Sequence, residues 1–182
     1  MIRALILTVL LCPQTSAQVV QLRCEGDSGA QMLFSGVVVK ANDKGSEIIT
    51  VCHGIEGDGK IEVKAGGGWE RARVVRALWR WDLARLRTSH EFDNPQKIGE
   101  SDKDDNVSIK GWSYPDSGSS TVTKWGTIEK TKGGWLFATC TPDDGMSGGG
   151  VFKGGKLVGI VSANSGGKCK AVSFVKIRKV MK

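Results

Sequence analysis

The sequence predicts an all-β protein of two packed six-stranded antiparallel barrels, closed by a short C-terminal helix. Three observations carry that expectation. Glycine supplies 25 of the 182 residues and proline only 4; glycine is thus about twice its usual share of roughly 7%, which points to many tight turns. Short apolar runs of strand length recur between polar, glycine-rich turns. A charged stretch with a proline and few apolar residues, 93–106, divides those runs into two sets.

Taken in order, residues 1–17 read MIRALILTVLLCPQTSA: Arg3, an apolar core from Ala4 to Leu11, then small residues ending in Ser16 and Ala17. That is the order of a secretory signal, with Thr15 and Ala17 at the two positions where the peptidase wants small side chains. The core is far shorter than the roughly 20 residues that cross a bilayer, so export to the periplasm or the medium is expected, with no membrane anchor. Leu11 before Cys12 argues against lipid attachment there. The first barrel then spans 18–92, with strands read at 19–24, 32–40, 47–51, 60–64, 71–78 and 83–86. The exposed connector is placed at 93–106. The second barrel spans 107–182, with strands at 107–110, 120–125, 135–140, 150–153, 157–162 and 171–175, and a helix in the tail from Val175, whose residues 177 and 180 would cap the second barrel.

The net charge is +7 with both histidines neutral. A solvated basic face accounts for such a charge more often than an anionic partner does, and no nucleic-acid partner is expected, because the six tryptophans are not interleaved with a compact Lys/Arg stripe. Of five cysteines, Cys12 leaves with the signal. The remaining Cys24, Cys52, Cys140 and Cys169 form an even set that an oxidising compartment would pair, in any of three ways. No CxxC occurs, so neither metal nor cofactor is expected.

Chemistry is concentrated in TPDDGMSGGGVF around Ser147. A serine nucleophile needs a base, a carboxylate that orients the base, and backbone N–H groups facing the developing oxyanion. Gly145 permits a turn that aims amides inward, and Gly148 and Gly149 leave room for a substrate beside the serine. Only His53 and His90 are available as the base. His53 follows an apolar strand in IITVCHGI, whereas His90 lies in polar TSHEFD and reads as a solvent-exposed side chain. Asp82, in WRWDLARL, sits among Trp79, Trp81, Leu83 and Leu86; a carboxylate in apolar surroundings needs a definite partner, either a triad histidine or, more blandly, Arg80 or Arg85.

With these residues in view, the sequence resembles the chymotrypsin-like serine peptidases, particularly short bacterial and viral members that include the glutamyl endopeptidase group. TVCH at His53, DLARL at Asp82, GMSGG at Ser147, LVGIVSAN at 157–164 and VTKWGTIE resemble that family's elements in the family's order. The resemblance implies a serine endopeptidase acting on protein or peptide substrates through an acyl-enzyme, with His53 as base, Asp82 as its orienting acid, Ser147 as nucleophile, and the N–H groups of Gly145 and Ser147 as the oxyanion hole. It also implies a disulfide between Cys140 and Cys169 beside the specificity pocket, leaving Cys24 with Cys52, and a pocket formed by Thr141, Val161, Ser162, Ala163, Asn164 and Ala171. Departures matter. Met146 stands where pancreatic-type members keep an aspartate that pairs with a freed N-terminus, so that route of activation is not expected. Thr141 stands where trypsin-like specificity requires a carboxylate, so cleavage after Lys or Arg is disfavoured; a small or polar residue fits, and Lys168 and Lys170 leave room for Glu.

Other readings fit less well. GMSGG also satisfies the nucleophile elbow of α/β-hydrolases, but those enzymes place an acid and a histidine after the serine, and neither follows Ser147. Phosphate-loop, dinucleotide and HExxH spacings are missing. A non-catalytic double-barrel binding protein is the remaining alternative, and the presence of all three triad residues argues against it.

Overall fold

A computed structural model describes residues 18–26, 29–57, 59–114 and 119–182; the 1–17 signal assignment lies outside them. Six strands, β1 (Val19–Glu25), β2 (Gln31–Asn42), β3 (Gly45–Thr50), β4 (Ile61–Ala65), β5 (Gly68–Leu78) and β6 (Leu83–Thr88), close into one barrel. A second barrel closes from β7 (Asn106–Ser113), β8 (Ser120–Lys132), β9 (Trp135–Ala138), β10 (Gly150–Lys153), β11 (Lys156–Ser165) and β12 (Lys168–Ser173). Every ladder is antiparallel, and the strand orders are β1-β2-β3-β6-β5-β4 and β10-β11-β12-β9-β8-β7. The period-2 pattern explains the closure: along β7, Val107, Ile109, Gly111 and Ser113 point inward while Ser108, Lys110 and Trp112 are more exposed.

The second barrel has its own apolar interior, built from residues such as Ile109, Ile128, Leu136, Met146 and Val158. The first barrel's core continues outward: Leu22, Phe34, Ile48 and Leu86 belong to the same cluster as Phe152, Leu157, Ile160 and Val172 from the outer wall of the second. This shared layer fixes the two barrels against each other.

Most of the connector 93–106 is exposed, and it is tethered at a few points: Gln96 is buried and its N–H donates to the Val38 carbonyl, while Gly99 N–H donates to Leu157 and Leu157 N–H to Lys97. Backbone pairing to both barrels holds the segment in place. One expectation is corrected here. The tail helix, α1 (Phe174–Met181), does not cap the second barrel alone. Ile177 and Val180, three residues apart and so on one helical face, are buried in the core that the first barrel shares with the interface, and Arg85 of β6 donates to the Met181 carbonyl at 2.8 Å.

Candidate active site

His53 opens a short 3-10 turn, His53–Ile55, immediately beyond β3. Thr50, Val51 and Cys52 before it are buried, so the strand end sets the ring's position. Asp82 follows a second 3-10 turn, Trp79–Trp81, in a left-handed conformation (φ 50°), a region that aspartate tolerates better than most side chains. Its carboxylate is held from three directions: Oδ1 accepts from His53 N–H at 2.9 Å, and Oδ2 pairs with His53 Nδ1 at 2.8 Å and accepts from Ser162 Oγ at 2.6 Å.

These contacts set the titration of both groups. Burial by itself would raise the Asp82 pKa, but hydrogen bonds from the His53 ring, Ser162 and the His53 amide, together with the imidazole charge, bring it below the ordinary carboxylate value. The hydrogen bond to Asp82 raises the His53 pKa above the ordinary 6.5, against the opposing effect of burial. Because an ionised carboxylate only accepts, Nδ1 carries the proton and Nε2 is left as the basic nitrogen.

The expected tryptophan enclosure of Asp82 is not what surrounds it. Trp79 is largely exposed, and Trp81 turns to Trp135, with ring centroids 6.2 Å apart. Neither arginine takes the carboxylate: Arg85 serves Glu47 and Met181, and Arg80 lies over the Trp81 ring. His90 is not simply solvated, since its Nδ1 pairs with Glu70 at 3.1 Å and its edge packs on Phe92.

Ser147 belongs to the second barrel's glycine-rich turn. Its hydroxyl donates to the Ser162 carbonyl at 3.3 Å, so Ser162 touches both Asp82 and Ser147. The register of β11 against β12 shifts between Val161 and Ala163. This irregularity at Ser162 turns its hydroxyl toward Asp82, a use of bulges common beside active sites. Sequence reading placed Ser162 in the substrate pocket and missed this bridging position.

Ser35, also missed, sews the Ser147 turn to the first barrel. Buried on β2, it donates its N–H to the Ser147 carbonyl at 2.8 Å and its Oγ to the Gly145 carbonyl at 2.8 Å. The same Oγ accepts from Trp112 N–H at 2.8 Å, and the Ser35 carbonyl accepts from Thr50 Oγ1 at 2.6 Å. Both carbonyls flanking Met146-Ser147 are thereby pulled toward the first barrel. Among the described residues, neither Gly145 N–H nor Ser147 N–H donates to a backbone carbonyl. Glycine is required at two points for close approach: a Cβ at Gly148 (φ 84°) would overlap the Ser35 carbonyl oxygen, and one at Gly145 (φ 86°) would overlap the Tyr114 ring. The space at Gly148, expected for substrate, is filled by the neighbouring barrel.

Met146 is fully buried in the second barrel's core, and its Sδ accepts from Asp143 N–H at 3.3 Å. Apolar packing thus anchors the turn from below. Of the pocket residues, Thr141, Ala163 and Asn164 reach the surface, whereas Val161 and Ala171 lie inside the core. Thr141 Oγ1 donates to the Gly167 carbonyl, and Asn164 Oδ1 accepts from Gly167 N–H at 3.0 Å, joining the two sides of this region. Asp143 is ion-paired with Lys124 of β8.

Cys52, Cys140 and Cys169 are unbridged thiols, which departs from the expected pairings. Cys140 and Cys169 are adjacent: the Cys169 thiol hydrogen-bonds Cys140, lowering the Cys140 pKa, while the Cys169 pKa is raised. Cys52 lies instead among Asp82 and the backbone of Leu78 and Leu83, and its burial pushes its pKa up to about 11. No three His, Cys, Asp or Glu side chains among the described residues are grouped to hold a metal, and no described helix is long and apolar enough to cross a membrane.

The comparisons with known proteins agree with this geometry. The structure is similar to the active form of the Rv3671c protease from M. tuberculosis, with a TM-score of 0.78 and 18% identity over 92% of this chain and 80% of that one. The inactive form of the same protease gives 0.72 and 18%, covering 92% and 88%. No curated protein sequence matches the chain. The family model described as a trypsin-like peptidase domain matches residues 34–160, a span that carries His53, Asp82, Ser35 and Ser147. The chain therefore belongs to the trypsin-like peptidase family and is a serine peptidase built on two antiparallel barrels.

Proposed function

We propose that the protein is an exported serine endopeptidase whose triad is His53, Asp82 and Ser147. One observation carries the assignment: the Asp82 carboxylate joins the His53 ring and Ser162, and Ser162 in turn receives the Ser147 hydroxyl. Rotation of Ser147 about χ1, a change between ordinary staggered wells, would carry Oγ from the Ser162 carbonyl toward His53 Nε2. Nε2 then takes the hydroxyl proton as Oγ attacks the scissile carbonyl, Asp82 stabilises the imidazolium, and His53 returns the proton to the leaving amine. The unengaged N–H groups of Gly145 and Ser147 receive the oxyanion. Water, activated by the same histidine, releases the acyl group.

Substrate preference follows from the mouth of the site. The Thr141 hydroxyl is already committed to Gly167, and Lys124 neutralises Asp143, so no free carboxylate greets a cationic side chain at these positions. A small or polar residue before the scissile bond is favoured, with Lys and Arg disfavoured. Residues 1–17 act as the export signal, and an oxidising destination would convert the adjacent Cys140 and Cys169 thiols into a disulfide.

A fluorophosphonate probe, which phosphonylates an activated serine, tests the triad on the full chain. Labelling at Ser147 that disappears in His53→Ala and Ser147→Ala is expected; an unlabelled wild-type protein, or labelling that persists in His53→Ala, overturns it. A peptide panel differing only before the scissile bond tests preference, and turnover highest with Arg or Lys would refute the pocket reading while leaving the triad intact.

A further inference from the structure

Elsewhere on the surface, carboxylates answer several of the basic side chains. Glu62 takes Arg23 and Lys60, Glu47 takes Arg85 and Lys40, and Glu129 takes Lys168. One face of the first barrel differs. Lys44 from the β2–β3 turn, Arg71 and Arg73 from β5 and Arg87 from β6 line a groove of about 580 Å³ with Thr88 and Ser89. None of these four cations forms an ion pair among the described residues.

The sheet register makes this arrangement costly. Arg73 stands directly opposite Arg87, and beyond Val74 opposite Leu86 the ladder sets Arg76 opposite Arg85. Like charges directly opposite each other on adjacent strands destabilise a sheet. The nearest acids do not relieve the first pair: Glu47, opposite Arg87, leans to Arg85 at 3.6 Å, and Glu62, opposite Arg71, is held by Arg23 at 2.6 Å. No carboxylate among the described residues comes within ion-pair distance of Arg71, Arg73 or Arg87, which leaves these guanidinium groups open to an external anion.

We propose that the groove is an exosite that captures an acidic segment of the polypeptide substrate. This rests on the peptidase reading and deepens it by naming the substrate class. Position supports it. Asp82 precedes β6 and Thr88 ends it, so at ~3.3 Å per residue the groove lies roughly 20 Å along the strand from the triad. A polypeptide cut at Ser147 could reach it with about six extended residues, and a second contact on the same molecule raises the effective concentration of the scissile bond. Composition favours a peptide over a nucleic acid. Val74 and Val75 are exposed on the same strand, offering apolar contact to side chains, and no aromatic side chain lines the groove to stack on bases.

The test uses the full chain carrying Ser147→Ala and a fluorescein-labelled peptide of alternating Glu and Gly, read by anisotropy. Saturable binding is expected, weakened about tenfold by Arg73→Glu and by raising salt from roughly 50 to 500 mM. Arg73→Glu replaces a like-charge pair with an opposite one, so its melting temperature should hold or rise; Arg87→Gln gives an independent variant. Binding unaffected by both substitutions overturns the proposal. So does tighter binding of a single-stranded oligonucleotide, or equally strong competition by inorganic phosphate alone. In the active enzyme, a substrate with a Glu-rich tail six or more residues from the cut should show about tenfold higher kcat/KM than its tailless twin. Arg73→Glu should erase that gap and leave the tailless substrate unchanged; a gap that survives overturns the proposal. Failure of the peptidase reading looks different: no substrate is cut by any form, while the anisotropy result still decides the groove.

Discussion

The two barrels deliver the proposed catalytic groups in different ways. The first presents His53 and Asp82 from turns directly attached to the buried ends of β3 and β6, and the two side chains meet within one barrel. The second presents Ser147 from an irregular glycine-rich turn whose shape is not fixed by its own ladder. That turn is braced by Met146 beneath it and by Ser35 reaching across from the first barrel. A strand end positions a base by itself, whereas an oxyanion turn needs carbonyls pinned from outside so that its N–H groups stay aimed at the substrate.

The sharpest way to break this contrast is within the first barrel. Asp82→Asn should lower kcat by about 10⁴-fold, because an amide at that position favours the wrong imidazole tautomer, while the fold and probe access to Ser147 remain. A loss near tenfold in steady-state kinetics would mean that Asp82 only positions the loop. In the second barrel, oxidation should join Cys140 to Cys169, enclosing a 29-residue span (169 − 140), and add about 3 kcal/mol to unfolding stability. Mapping of a nonreduced digest checks this; a Cys24–Cys52 bond without the Cys140–Cys169 bond would reverse the expected asymmetry.

Between the barrels, Ser35→Ala removes the Oγ tether on Gly145 but keeps the N–H bond to Ser147. Turnover should fall about tenfold, less than the 10²–10³ expected for loss of an oxyanion donor itself, with KM for a short substrate little changed. An unaltered kcat would show that Met146 packing alone holds the turn. The smallest effect concerns pH. Since Asp82 raises the His53 pKa, His53 stays protonated to higher pH than a free imidazole, and activity is lost as pH falls through that raised value. The acid limb of kcat/KM should therefore lie above 6.5 in the wild type; a limb below 6.5 would contradict the pairing.

Much of this was legible in local patterns. Alternation in VSIK marks the first half of β7, the apolar run before His53 marks β3, and GMSGG marks a glycine-rich turn. Composition marked 93–106 as exposed, and most of it is, but it carried no sign that Gln96 and Gly99 are hydrogen-bonded to the two barrels. Cysteine parity likewise carried no information on whether any two sulfurs are joined.

By itself the sequence determined the number and order of strands, the division into two barrels, and the residue types able to act as base, acid and nucleophile, because each depends on a period of two or on a short contiguous motif. Only the tertiary structure decided that Ser35 holds the Gly145 carbonyl across 110 positions of chain, that Ser162 bridges to Asp82 across 80, and that α1 straddles both barrels. Serine has no periodic signature, and a single hydrogen bond between distant strands leaves no trace in composition. Its location follows from how two closed sheets pack, from the bulge at Ser162, and from the absence of a Cβ at Gly148, where the first barrel's backbone enters.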